Sequence, residues 1–399
     1  MRTLHSTITA AHVQQLARNR LQTHLRLADH GRKCTAPTLW AVLLWAAARV
    51  TSLAAACAAL RRAPSDQAVR NALLATLPDY QQLQRRLNQA LADGLPKNLR
   101  RQRQIVAFDV TLIPYYGQPE ADAAELVHGA CKASTRVFHA YATAYVVCRG
   151  CRWTLALRPV YQGDTLEDVL RDLLRQVRRL GVRVRLLLLD RGFYNVGVIR
   201  YLQAARCPFL MPVQRRGRKP SDARGPSGTW AFAAWKRGGW SSYQLWERRG
   251  RRRRATVRIA VSCPGPMTRR GRPRRGGRQP TWVYAFWGFQ PSSLTWVRQT
   301  YRRRFGIESS YRQLNQARIR TSSRSPLLRL LFVGLALVLR NVWVWLHWEV
   351  LAQRRRGRRL VDLDQLPLRA MLHWLQQVVE ELFGPTRTIE SERRWPTSL

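Results

Sequence analysis

Acid and lysine are the scarcest features of this sequence. Only 23 Asp and Glu stand against 69 Lys and Arg. Five of the basic residues are lysines (Lys33, Lys97, Lys132, Lys219 and Lys236) and the rest are arginines. A GC-rich genome favours Arg over Lys but does not explain the lack of acid. The resulting net charge of +46 repels itself unless a polyanion neutralises it. Nucleic acid is the natural partner, because each phosphate contact releases counterions. A membrane surface is the rival, but no basic amphipathic anchor stands out. Met1 to Ala10 has no apolar segment of the secretory kind. A long apolar run is also missing. Leu327–Trp348 is broken by Arg329, Arg340 and Asn341, and its uninterrupted part, Leu330–Leu339, is too short for a bilayer and reads as a buried core helix. The seven cysteines are odd in number and scattered, which argues against a disulfide scaffold. Cys148 and Cys151 form a C-x-x-C with no second pair at zinc-finger spacing, so Arg149-Gly150 between them reads as a hairpin turn.

What is present is globular and patterned. Length, 399 residues, allows two or three domains, and 46% of the residues are hydrophobic. Residues 1–100 have helical periodicity at 8–30, 37–48, 50–62, 65–77 and 80–93. Ser65 is an expected N-cap, and the short break before it allows a helix-turn-helix as well as a plain bundle. From Gln104 the pattern turns to strands. Residues 105–113 form one, and 136–148 with 152–161 form a hairpin. Thr165 opens a helix whose apolar stripe is Leu166, Val169, Leu170, Leu173, Leu174 and Val177. A buried strand (182–189), a helix (195–205) and a strand (208–213) follow. This order fits an α/β fold with a ribonuclease-H-like core in residues 101–214. Residues 215–290 read as a basic, β-rich insertion: between 215 and 278, twenty Arg and Lys face only Asp222 and Glu247, a net of +18. Strands are expected at 240–246, 255–262 and 281–289. Residues 291–355 then return to helices as the second part of the core, and 356–399 hold a last helix and tail.

Charged residues rarely sit in apolar strands without a partner or a metal. Asp109 lies in the middle of the first strand, Ile105–Ile113. Asp190 follows four leucines at the carboxyl end of a later strand, where ligand sites of open α/β sheets lie. Glu308 lies in a helix otherwise crowded with arginine. Only twelve acidic residues fall between Ile105 and Arg320, and most of the others belong to a loop or a helix start. Such a trio can hold Mg²⁺, which prefers carboxylate and phosphate oxygens. Two such ions activate an oxygen nucleophile and stabilise a leaving oxygen in phosphodiester cleavage.

The segments around these residues resemble the insertion-sequence DDE transposases, in the branch whose ribonuclease-H-like core is split by a β-rich insertion. The first reads F-D-V-T-L-I-P with Asp109, the second L-L-L-L-D-R-G-F-Y-N with Asp190. The third, Y-R-R-R-F-G-I-E, is similar to a Y-x2-R-x3-E signature through Tyr301, Arg304 and Glu308. A lysine often follows this signature; here the position is Asn315, and Arg312 or Arg318 is the nearest substitute. Lys132–Thr143 is similar as well. The resemblance covers about residues 104–350. It implies cleavage at transposon ends and strand transfer of the 3′-OH into target DNA, with Asp109, Asp190 and Glu308 as catalytic metal ligands for two Mg²⁺ ions (or Mn²⁺). It implies DNA contacts from Tyr301, Arg304, Arg312, Lys132 and Arg191, and stacking of a base on an aromatic residue of the insertion such as Trp240. A dimer in the complex with double-stranded DNA, no membrane, and a prokaryotic, cytoplasmic, nucleoid-associated location go with it. Two other readings are a catalytically impaired descendant that only binds DNA, and a nuclease or resolvase of ribonuclease-H-like fold.

Overall fold

The structure, a computed structural model, describes residues 7–118, 123–148, 152–247, 253–263, 281–355 and 358–386. The side chains of 307–310 and 354–358 also lie outside the description. So do the Arg149–Gly150 turn, Cys151, the most basic loops of the insertion and the tail beyond 386. The chain divides into two compact units, one of residues 1–94 and 311–399, the other of residues 95–310.

The first unit is helical. It begins with α1 (Ala10–Leu25), α2 (Ala36–Arg49), α3 (Leu53–Ala59), α4 (Asp66–Thr76) and α5 (Tyr80–Ala92). Thr9, Thr35, Ser52, Ser65 and Asp79 cap these helices, each side chain accepting the backbone N–H three residues on. The C-terminal part of the chain supplies the centre of this unit, described below as α11 and α12.

The second unit is built on one sheet. After a single turn, α6 (Asn98–Arg101), come β1 (Gln104–Pro114), β2 (Val127–Lys132), β3 (Thr135–Val146) and β4 (Thr154–Val160). Helix α7 (Leu166–Arg179), β5 (Val184–Leu188), α8 (Val196–Ala204) and β6 (Phe209–Pro212) follow. β3 pairs antiparallel with β1 and with β4, while β1, β5 and β6 run parallel. This is the ribonuclease-H-like α/β core expected from the element order. The apolar stripe of α7 (Val169, Leu170, Leu173, Leu174 and Val177) is buried, each side chain contributing roughly 1.5–3 kcal/mol. Thr165 and Asp168 close the capping box that starts the helix. Arg158 of β4, itself buried, binds Asp164 at 2.6 Å and Asp172 at 2.9 Å, tying the strand to α7.

The basic segment does not form a sheet of its own. Its strands β7 (Gly239–Trp246) and β8 (Arg254–Ser262) join β9 (Trp282–Trp287), and β9 pairs antiparallel with β6. The result is a nine-stranded sheet. The chain leaves it through α9 (Leu294–Arg302), a 3₁₀ turn at Arg303–Phe305 and α10 (Gly306–Asn315).

Helix α11 (Pro326–Trp345) then runs through the helical unit, with every residue from Leu328 to Val344 buried. With its π-helical continuation it is long and apolar enough to cross a membrane by length and composition, but 89% of its apolar window is buried inside the protein. Its polar groups have partners there: Asn341 donates to the Leu91 carbonyl at 3.1 Å, and Arg340 to Gln313 at 3.0 Å. This is the core helix expected for Leu327–Trp348. A small hairpin, β10 (Gln353–Arg355) with β11 (Arg358–Leu360), leads to α12 (Leu368–Phe383), which packs on α2 and α1.

Candidate active site

Asp109 and Asp190 meet through strand register. Ala107 of β1 is level with Leu188 of parallel β5. Two residues further on each chain brings Asp109 level with Asp190, where the carboxyl ends of the strands open the sheet. On the other side Asp109 faces Thr143 of β3. Asp190 is held by its own backbone, since it caps the short 3₁₀ turn Arg191–Phe193 and accepts the N–H of Arg191.

Between the two carboxylates lies the guanidinium of Arg304. Its Nη1 is 3.5 Å from Asp109 Oδ2 and its Nη2 is 3.9 Å from Asp190 Oδ1. The Arg304 side chain is 8% exposed, those of Asp109 and Asp190 16% and 46%. Burial works to lower the Arg304 pKa, but Tyr301, Asp109 and Asp190 together raise it above its ordinary value. Burial likewise pushes the Tyr301 phenol up, so it is neutral at pH 7 and the carboxylates are what balance the cation. Arg304 Nε is buried without a hydrogen-bond partner among the described residues.

Contacts among the described residues hold this segment on the sheet. The Tyr301 hydroxyl donates to the Leu189 carbonyl at 3.3 Å, next to Asp190. Tyr145 of β3 donates to the Arg304 carbonyl at 3.0 Å, and Arg152 donates to the Gly306 carbonyl at 3.5 Å. A Cβ at Gly306 would approach the Arg152 guanidinium to 2.8 Å, so a larger residue there would push the end of that side chain aside. Tyr145 and Arg152 were not singled out in the sequence. The signal for Tyr145 is the alternation Tyr141-x-Thr143-x-Tyr145, which places all three on the face that Asp109 shares through its pairing with Thr143.

The remaining sequence-derived residues are distributed as follows. Glu308 lies on α10, four residues after Arg304, and its side chain is outside the described residues. Tyr301 and Arg304 are 5% and 7% exposed, turned inward to the sheet and the carboxylates. Arg191 is exposed beside Asp190, and Arg312 is exposed on α10. Lys132 is exposed on the hairpin that pairs it with Thr135. Trp240 is 41% exposed on β7, edge-on to Phe286. His139 is a buried side chain against Tyr115, not part of this cluster.

A divalent cation fits the chemistry of the pair. Two hard carboxylates share one monovalent cation, and the Asp190 side is open. Among the described residues no third His, Cys, Asp or Glu joins them. Next to Asp190 opens a cleft of about 730 Å³ lined by residues that include Arg191, Arg215, Trp282, Arg298 and Tyr301.

Residues 100–342 match the family model described as Transposase DDE domain. No curated protein sequence matches the chain significantly. Among solved structures, the chain is similar to a piggyBac transposase seen by cryo-electron microscopy in a synaptic complex with hairpin DNA. The TM-score is 0.54 at 10% identity, over 96% of this chain and 82% of the other. At that identity the likeness concerns the fold.

Proposed function

The chain belongs to the DDE-domain transposase family, and we propose that it cleaves DNA at the ends of a mobile element and joins the freed 3′-OH to target DNA. The observation that carries this reading is the convergence of Asp109 and Asp190 from neighbouring parallel strands on a single cation. With Glu308 from α10, they would hold Mg²⁺ or Mn²⁺. Such ions would supply an activated oxygen nucleophile and stabilise the leaving 3′ oxygen.

The protein's own residues prepare this arrangement. Asp109 is fixed mid-strand between β3 and β5. Asp190 is fixed by its capping bond. Arg304, tied down by Tyr145 through its carbonyl, keeps the two carboxylates close before any metal arrives. Exposed Arg191, Arg312, Lys132 and Trp240 serve as DNA contacts in this reading. Duplex DNA is the partner, in keeping with the net charge and with the hairpin-DNA complex of the structural neighbour. Two ends must be held at once, so we assign a dimer to the DNA complex. By sequence, residues 101–214 and 291–355 form the catalytic domain around the insertion at 215–290, flanked by 1–100 and 356–399. The enzyme acts in the prokaryotic cytoplasm, at the nucleoid.

Asn315, where a lysine commonly follows the signature, favours a second reading: a protein that binds DNA with catalysis impaired. One assay separates the two. The chain is incubated with the inverted repeats that flank its gene, in Mg²⁺ or Mn²⁺. Cleavage that disappears in Asp109→Ala, Asp190→Ala and Glu308→Ala, with DNA binding kept, supports the enzyme. Variants that cut as well as the parent refute the triad. Binding without cleavage by the unmodified chain supports the second reading.

A further inference from the structure

The cleft beside Asp190 is lined by a cation, Arg215, that has no carboxylate at ion-pair distance among the described residues. Arg215 follows β6 and is half-buried. Its Nη2 donates to the Thr281 carbonyl at 2.7 Å, and its guanidinium lies 5.6 Å from the centre of the Trp230 ring. Its Nη1 is buried and has no hydrogen-bond partner among the described residues. Burial, and then the neighbouring charge of Arg191, lower its pKa. Arg298 lines the same cleft, stacked at 4.1 Å on Trp282, and Arg302 lies at its rim. Among the described residues, none of Arg191, Arg215, Arg298 and Arg302 has a carboxylate at ion-pair distance; the one acid lining the cleft, Asp190, faces Arg304. Converging guanidiniums without an anion are unfavourable, and a buried donor left unmet costs about 1–3 kcal/mol. The fixed fork of arginine suits a phosphate.

We propose that Arg215, with Arg191, binds a backbone phosphate of the DNA substrate next to the phosphodiester presented to Asp109 and Asp190. The inference rests on the transposase reading and adds to it a place for the strand. The bond to Thr281 and the cation–π contact with Trp230 hold the Arg215 side chain at the wall of the cleft.

The test is binding of a short fluorescent duplex by the full chain, without divalent ions, across a range of KCl concentrations. Arg215→Gln is expected to weaken binding about tenfold. It should also reduce the slope of log affinity against log salt by about 1, the loss of one phosphate contact. Arg215→Lys keeps the charge and loses the fork, so it should keep the slope and bind several-fold more weakly. An unchanged slope in Arg215→Gln overturns the proposal, even if its melting temperature falls, since that combination describes a purely structural arginine. If Arg215→Gln does not fold, unchanged affinity in Arg215→Lys overturns it. If the unmodified chain binds no duplex, the transposase reading fails together with this inference. Binding with an unchanged slope removes the inference alone.

Discussion

Replacing Arg304 with glutamine removes the guanidinium that bridges Asp109 and Asp190. Breaking a buried ion pair by deleting one partner costs about 3–5 kcal/mol. The Asp190 arm is nearly half exposed and adds little, in the range of about 0–1 kcal/mol for surface pairs. The Asp109 arm, with both side chains largely buried at 3.5 Å, carries most of the effect. Water still reaches Asp109 in part, so the low end of the range applies, about 3 kcal/mol. For a unit of this size, residues 95–310, that is a fall of roughly 6–12 °C in melting temperature. The divalent response should move the opposite way. With the guanidinium gone, Mn²⁺ or Mg²⁺ no longer competes with an internal cation. Affinity for the ion without DNA should rise about tenfold, a shift of about 1.4 kcal/mol. Ion-induced stabilisation should then exceed that of the unmodified chain at the same concentration. Thermal melts with and without divalent ions, and titration calorimetry with Mn²⁺, read both effects. A variant that melts with the parent and gains no affinity would refute the assignment of Arg304 as the counter-ion of the metal-free pair.

Two further outcomes follow from packing and burial. A Cβ at Gly334 of α11 would overlap Leu87 of α5, so Gly334→Ala should lose roughly 1–3 kcal/mol in denaturant melts. Leu87→Ala in the same chain should recover part of that loss, and strictly additive losses would contradict the contact. Burial raises the Cys207 thiol from 9.0 to about 11. Its contribution is therefore complete below pH 9 and disappears as the pH rises through about 11, a change of roughly 3 kcal/mol. Cys207→Ala should flatten stability against pH across that window, and parallel pH profiles for parent and variant would show that the thiol titrates normally.

Much of the fold was legible because local signals and tertiary structure agree. The caps Ser65 and Thr165, the apolar stripe of α7 and the leucine run of β5 each announce an element that formed. Asp109 and Asp190 were legible for the same reason, as acids placed where apolar strands leave no ordinary use for them. What the sequence hid is relational. Composition marks residues 215–290 as a distinct basic segment, but it does not encode the pairing of β6 with β9 that carries those strands onto the core sheet. β2 was missed because its exposed residues, such as Gly129 and Lys132, show no buried alternation. Arg304 was visible as a member of a signature, yet among so many arginines nothing local indicates that this one turns inward to the carboxylates. Arg215 was invisible for the same reason, since its distance from every described carboxylate appears only once the chain is folded.

The most direct test of the central claim is an experimental structure of the chain with Mn²⁺ bound, read by the anomalous scattering of the ion. Manganese is expected at Asp109 and Asp190, with the carboxylate of Glu308 reaching the same centre and the guanidinium of Arg304 drawn away from its place between the aspartates. Manganese bound elsewhere, or Glu308 more than about 10 Å from the aspartates when two catalytic ions must lie about 3.5–4 Å apart, would contradict it.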